Sequence, residues 1–287
     1  MRVGAAALVL LAALLTTVPG TAAASGPETV RFPSDDGKTT LVGYLFAPAG
    51  PGPHPALVLL HGRSGPYSST AHGVYTAATL SGRHATWAAF WADRGYVTLL
   101  VDSFGPRGYP AGFPRNSYKA RPLAVSEQTV RPLDAYGALR YLRTRPDVAA
   151  SRIGLQGWSN GAMTTLVTMS DTPPGLANLT PATGFRAALA LYPGCGMDAL
   201  KRRYVPYAPV LMLLAAADDE VSPRTCQQFA DRVRGAGGNL QTIVYEGAEH
   251  NFDDPGSGKQ GREANRRATE DARGRAERFF AAQLTAP

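Results

Sequence analysis

A serine hydroxyl attacks a carbonyl at neutral pH only when a base takes its proton and an acid holds that base in the right tautomer. Ser159 lies in QGWSNGA (156–162), between Gly157 and Gly161, in the order Gly-x-Ser-x-Gly. The pentapeptide alone means little. It carries chemistry only where a strand enters and a helix leaves, so that a sharp turn holds the hydroxyl up for attack. The candidate acid is Asp218, at the end of PVLMLLAAAD, with Asp219 and Glu220 as its immediate rivals. The candidate base is His250 in GAEHNFDD, the one histidine of five that follows both Ser159 and Asp218. The order serine, aspartate, histidine therefore has a single completion; the alternative for His250 is a histidine in a surface turn.

Attack would put negative charge on a carbonyl oxygen, which needs donors already aimed at it. The backbone N–H of Asn160, just after Ser159, supplies one, and that of Arg63 in HGRSG supplies the second. His61 is expected to pack or hydrogen-bond near this loop, with a direct catalytic role as the alternative. The side chains of Arg63 and Arg107 are candidates to bind a substrate carboxylate through paired hydrogen bonds, or else to fix their loops. Trp158, Tyr67 and Phe104 are candidates to line an apolar pocket, with core packing as the alternative for Trp158.

These residues need a strand before Ser159, a helix after it, and loops that converge. RIGLQG (152–157) has the apolar content of a strand and GAMTTLVTM (161–169) that of a buried helix. Upstream, Thr39 to Ala47 reads as a strand and PALVLLHG as another ending at His61. A Gly/Ser/Thr-rich loop follows, then the helix HATWAAFWADRG closed by Gly95 and the strand YVTLLVDS. After an irregular stretch from Phe104 to Val125, Ala135, Ala138, Leu139 and Leu142 form the stripe of a helix stopped by Pro146. FRAALALYP, PVLMLLAAAD and NLQTIVYEG read as strands, TCQQFADRVRGAGG as a helix, and about 262–283 as a closing helix. Continuous apolar runs alternating with amphipathic helices indicate an α/β fold, a mostly parallel sheet covered by helices on both faces.

Arg2, the apolar run from Ala5 to Val18 and the small residues through Ala24 have the pattern of an export signal cut after Ala24. An uncleaved anchor is the alternative, although the run is short against the roughly 20 residues of a membrane span. Cleavage leaves residues 25–287 as one domain with no stable membrane insertion, secreted or periplasmic. Loss of Arg2 lowers the formal net charge from +7 to +6. The remaining basic residues are dispersed, which gives no support for nucleic-acid binding. In an exported chain Cys195 and Cys226 can form a disulfide, since each would sit beyond the end of successive strands; two unpaired thiols are the alternative.

PALVLLHGRSG, VDSFGPRG, RIGLQGWSNGA, YPGCG, AADDEVSP and EGAEHNF together resemble the dienelactone hydrolase family of α/β-hydrolases, from about Thr29 to Phe280. One departure stands out: enzymes that gave the family its name carry cysteine at the nucleophile, where this chain has Ser159. The resemblance implies a single-domain α/β-hydrolase that cleaves a small-molecule ester or similar acyl bond through an acyl-serine, without metal or organic cofactor. A peptidase of the same fold and a non-catalytic binding protein on that fold are the rival readings.

Overall fold

The structure, a computed structural model, describes Met1 and residues 26–284. The expected signal segment, Met1 apart, lies outside the described residues. Eight strands form one sheet: β1 (Glu28–Pro33), β2 (Thr40–Phe46), β3 (His54–Leu60), β4 (Val97–Asp102), β5 (Val148–Trp158), β6 (Ala188–Leu191), β7 (Val210–Ala215) and β8 (Leu240–Tyr245). Their order is β1-β2-β4-β3-β5-β6-β7-β8. The β1–β2 and β2–β4 pairs are antiparallel and the others parallel.

Among the described residues seven α-helices accompany them, the last two after β8: α1 (Gly82–Ala92), α2 (Arg131–Thr144), α3 (Asn160–Thr168), α4 (Asp198–Lys201), α5 (Pro223–Gly235), α6 (Ser257–Gln260) and α7 (Glu263–Leu284). Because successive strand residues point to opposite faces, β3 feeds two cores. Ala56, Val58 and Leu60 pack with residues of α2, α3 and α5, whereas Leu57 and Leu59 pack with Trp87 and Trp91 of α1 and with Ala272, Ala276 and Phe280 of α7. This is the two-faced cover that the uninterrupted apolar runs require. Local signals start two of the covering helices. Ser81 accepts the His84 N–H at the start of α1, and Ser222 accepts the Thr225 N–H ahead of Pro223 in α5.

Three differences from the sequence reading have physical causes. ETVRFP forms β1 although only Val30 and Phe32 are buried in it, because pairing along the β2 edge satisfies its backbone. The strand expected through Asp218 stops at Ala215, which leaves Asp218 on a loop. The 104–125 stretch holds three short 3-10 turns rather than wholly irregular chain. Cys195, after β6, is bridged to Cys226 on α5 across a Cα separation of 5.0 Å. Among the described residues no helix is long and apolar enough to cross a membrane. The parallel strands β5, β7 and β8 end on one edge of the sheet, where open α/β sheets place their ligands.

Candidate active site

β5 runs into Ser159 and α3 leaves from it. Ser159 takes φ 51° and ψ −115°, a strained conformation for a residue with a side chain. The residues two positions before and after it must be glycine. A Cβ on Gly157 would lie 2.3 Å from the Gly161 carbonyl oxygen, and one on Gly161 would lie 2.0 Å from that of Leu60. Strand β5 and helix α3 can therefore meet this tightly only without those side chains, and the turn presents the Ser159 hydroxyl. The Ser159 N–H is held by Leu191 O of β6 at 2.9 Å.

Ser159 Oγ lies 3.0 Å from His250 Nε2, and His250 Nδ1 lies 2.7 Å from Asp218 Oδ2. A carboxylate only accepts, so the Nδ1 proton points at Asp218 and Nε2 is left to accept the serine proton. The other oxygen of Asp218 accepts the N–H groups of Glu220 and Val221, each at 2.9 Å, which fixes the carboxylate toward His250. All three side chains are buried, at 8 % exposure for Ser159, 2 % for His250 and 1 % for the Asp218 side chain. Neither rival acid takes this place. Asp219 pairs on the surface with Arg115, and Glu220 pairs with Arg63 through two contacts of 3.1 Å.

The loop that carries His250 is pinned from several sides. Asn265 accepts the Glu249 N–H, and the Phe252 carbonyl accepts from Gln260 and Thr269. The Asp253 carboxylate, 1 % exposed, accepts from Trp87 at 2.7 Å, Trp158 at 2.8 Å and Tyr192 at 2.6 Å. The Tyr192 ring stands edge-on to His250 at 4.8 Å. Nothing in the residue types near Asp253 signalled this hub, because its donors lie 61 to 166 positions away.

On the other side of Ser159, His61 buttresses the Gly62–Arg63 segment. The Ser103 N–H donates to His61 Nε2 at 3.2 Å, so the ring proton is on Nδ1 and is donated to the Gly62 carbonyl at 2.7 Å. Burial, with the Arg131 charge beside it, holds the His61 pKa well below its ordinary value, in keeping with a neutral ring. Arg131, also buried, donates to the His61 carbonyl at 2.7 Å and lies over the Phe104 ring; desolvation lowers its pKa to about 10.

A pocket of about 360 Å³ opens beside Ser159 and Asn160. It is lined by the apolar Met163, Met197 and Val221 with Tyr118, and equally by the cationic Arg63, Arg115, Lys119 and Arg121. Met163 lies one helical turn after Ser159, a spacing that could have been read from sequence. Arg121 donates to both Asn160 Oδ1 and Glu127 at 2.8 Å. Glu220 also lines this pocket, with Oε2 3.8 Å from His250 Nε2. Burial works to raise the Glu220 pKa, but the Arg63 hydrogen bond and the charges of His250 and Arg63 outweigh it and the pKa is lowered.

Several expected pocket residues stand elsewhere. Arg107 is spent on Asp134 at 2.8 and 2.9 Å, on Asp36 at 2.7 Å and on the Ser103 carbonyl, with its side chain 6 % exposed. Tyr67 donates to Asp102 at 2.9 Å and contacts Tyr44 at 2.7 Å, lining a different cavity. Trp158 and Phe104 are fully buried in the core. The Arg63 guanidinium is occupied by Glu220 and the Phe113 carbonyl, although it does border the pocket. Among the described residues, no group of three or more His, Cys, Asp or Glu side chains is arranged to hold a metal ion.

Solved structures share this architecture. A putative dienelactone hydrolase from Klebsiella pneumoniae superposes with a TM-score of 0.65 at 19% identity, covering 88% of this chain and 99% of its own. Esterase 2 of Thermogutta terrifontis, in its propionate-bound form, gives 0.63 at 19% identity over 91% of this chain and 97% of its own. The dienelactone hydrolase-like promiscuous phosphotriesterase P91, from metagenomic libraries, gives 0.61 at 19% identity over 91% and 100%. At these identities the likeness concerns the fold. The family assignment rests on the sequence, in which residues 41–284 match the model of the dienelactone hydrolase family. The chain belongs to the dienelactone hydrolase family of α/β-hydrolases and is a dienelactone hydrolase-like carboxylic ester hydrolase.

Proposed function

We propose that the protein is exported and hydrolyses carboxylic esters through an acyl intermediate on Ser159. The observation that carries this reading is the unbroken relay Ser159 Oγ, His250 Nε2, His250 Nδ1, Asp218 Oδ2, at 3.0 and 2.7 Å. His250 takes the serine proton as Oγ attacks the ester carbonyl, then gives it to the departing alcohol; Asp218 keeps the ring oriented and stabilises it while charged. Asn160 heads α3, where the first helical N–H groups have no partner within the helix, so its amide is free to meet the developing oxyanion. The Arg63 amide is the second donor, with the Gly62–Arg63 segment steadied by neutral His61. Water repeats the sequence against the acyl-serine and releases the acid.

Small acyl groups suit the pocket beside Ser159, and the neighbouring Thermogutta esterase 2 binds propionate and butyrate. Export is supported by the Arg2, apolar-run and Ala22–Ala24 pattern and by the buried disulfide, a bond that persists in oxidising compartments. The test is hydrolysis of p-nitrophenyl acetate and butyrate by residues 25–287, beside Ser159→Ala and His250→Ala. Turnover lost in both variants with circular dichroism unchanged fits the reading. Variants as active as the parent protein would overturn it. An amino terminus at Ser25 in the exported protein would fit the processing step.

A further inference from the structure

Asn160 brings two hydrogen-bonding groups to the nucleophile, and they compete. Its backbone N–H, at the head of α3, is the oxyanion donor assigned above. Its side chain is a carboxamide in the wall of the pocket, on a residue 6 % exposed. Asparagine at a helix start is prone to local bonding, because its side-chain oxygen reaches the N–H of its own residue or of the turn that follows. An oxygen turned that way here would take the amide that the substrate carbonyl needs.

The structure turns it elsewhere. Arg121 Nη1 donates to Asn160 Oδ1 at 2.8 Å, and since a guanidinium only donates, the atom that meets it is the oxygen. The carboxamide nitrogen points at Met163 Sδ, 3.0 Å away. Arg121 is fixed in turn. Nη1 also donates to Glu127 at 2.8 Å, Nε donates to Ser117 Oγ at 3.1 Å, and the guanidinium lies 5.5 Å from the ring centres of both Phe113 and Tyr118. The Arg121 and Glu127 side chains are 6 % and 4 % exposed. A buried ion pair adds little net stability, because desolvation offsets the attraction. What this pair supplies is a rigid donor beside the nucleophile, carried on the 104–125 stretch that also lends Arg115, Tyr118 and Lys119 to the pocket.

Resting on the acyl-serine reading above, we propose that Arg121 is a positioning residue for the oxyanion hole: it holds the Asn160 carboxamide oxygen so that the Asn160 N–H stays open to the substrate carbonyl. Arg121 takes no proton and acts only through Asn160. Its effect enters both halves of the reaction, since attack by Ser159 and attack by water each pass through an oxyanion at the same amide.

A double-mutant cycle on p-nitrophenyl acetate, a neutral ester blind to the pocket's charge, tests this. Arg121→Met should lower kcat about tenfold with KM little changed, a part of the roughly hundredfold or more that loss of a whole oxyanion donor costs. Asn160→Ala keeps the backbone amide and removes the carboxamide. Between Asn160→Ala and the double variant, the tenfold effect of Arg121→Met should therefore shrink to under about twofold, as for residues that act through one contact. Arg121→Met strands the buried Glu127, so if it fails to fold it is combined with Glu127→Gln in both backgrounds. Equal losses with and without the carboxamide, a change confined to KM, or full activity in Arg121→Met would overturn the proposal while leaving the hydrolase reading intact. No turnover by the parent protein, with the fold retained by circular dichroism, would overturn both.

Discussion

Breaking the bridge between Cys195 and Cys226 is expected to cost about 3.7 kcal/mol of stability. The bond closes a segment of 31 residues, and the loop-closure entropy it removes from the unfolded chain amounts to about 12 cal/mol/K for that length. Both half-cystines are buried, so a Cys195→Ala, Cys226→Ala variant also leaves two small voids, which add to the loss. Urea unfolding followed by tryptophan fluorescence is a suitable assay, since Trp87, Trp91 and Trp158 are fully buried and all report on the core. With a slope of about 3 kcal/mol/M, the midpoint should fall by about 1.2 M. The loss should reach the site as well. Gly194 and Gly196, on either side of Cys195, wall the pocket at Ser159, so KM should rise more than kcat falls. An unchanged midpoint, or two free thiols titrating in the unfolded, unreduced protein, would show that no bridge stabilises the fold.

Other outcomes follow from buried charge. His84 has Nδ1 against Ser81 Oγ at 2.7 Å and the Pro66 carbonyl at 3.2 Å; burial, reinforced by Arg83, pushes its pKa down to about 3. A histidine that stays neutral folded but protonates unfolded contributes stability fully above about pH 6.5 and loses it toward pH 3. Between pH 7 and 5 the parent protein should therefore lose about 2 kcal/mol more than His84→Gln, measured by urea midpoints; equal losses would sink the idea. Arg107→Met strands Asp134, which is fully buried, and should cost about 3–5 kcal/mol in the same assay while the folded fraction keeps its KM. A raised KM at full stability would instead return Arg107 to the substrate. If the Arg63 amide is the proposed oxyanion donor, His61→Asn should lower kcat about tenfold to a hundredfold with KM little changed, since His61 holds the Gly62 carbonyl beside it; a change confined to KM would argue against that role.

The meeting of Ser159, Asp218 and His250 and the two-faced sheet were legible because each leaves a local mark. Glycines two positions either side of Ser159, apolar runs of strand length and a single histidine after Asp218 can be read in one dimension. Charge partners cannot. Arg107 resembled a substrate anchor until Asp36 and Asp134, 71 and 27 positions away, were seen to hold it. Arg63 meets Glu220 across 157 positions, and Trp158 meets Asp253 across 95. Tyr67 sits on a loop that looks open in sequence, yet its hydroxyl is tied to Asp102 and its ring is buried. β1 was missed for the opposite reason, since an edge strand with two buried side chains has almost no apolar pattern to read.

The covalent intermediate on Ser159 is open to direct measurement. Residues 25–287 would be mixed with p-nitrophenyl butyrate, quenched in acid within the first turnover, digested and weighed by mass spectrometry. An acyl-serine pathway gives a burst of p-nitrophenol and a butyryl group on the peptide that contains Ser159, both absent from Ser159→Ala. Steady turnover without that adduct, or an active Ser159→Ala, would contradict it.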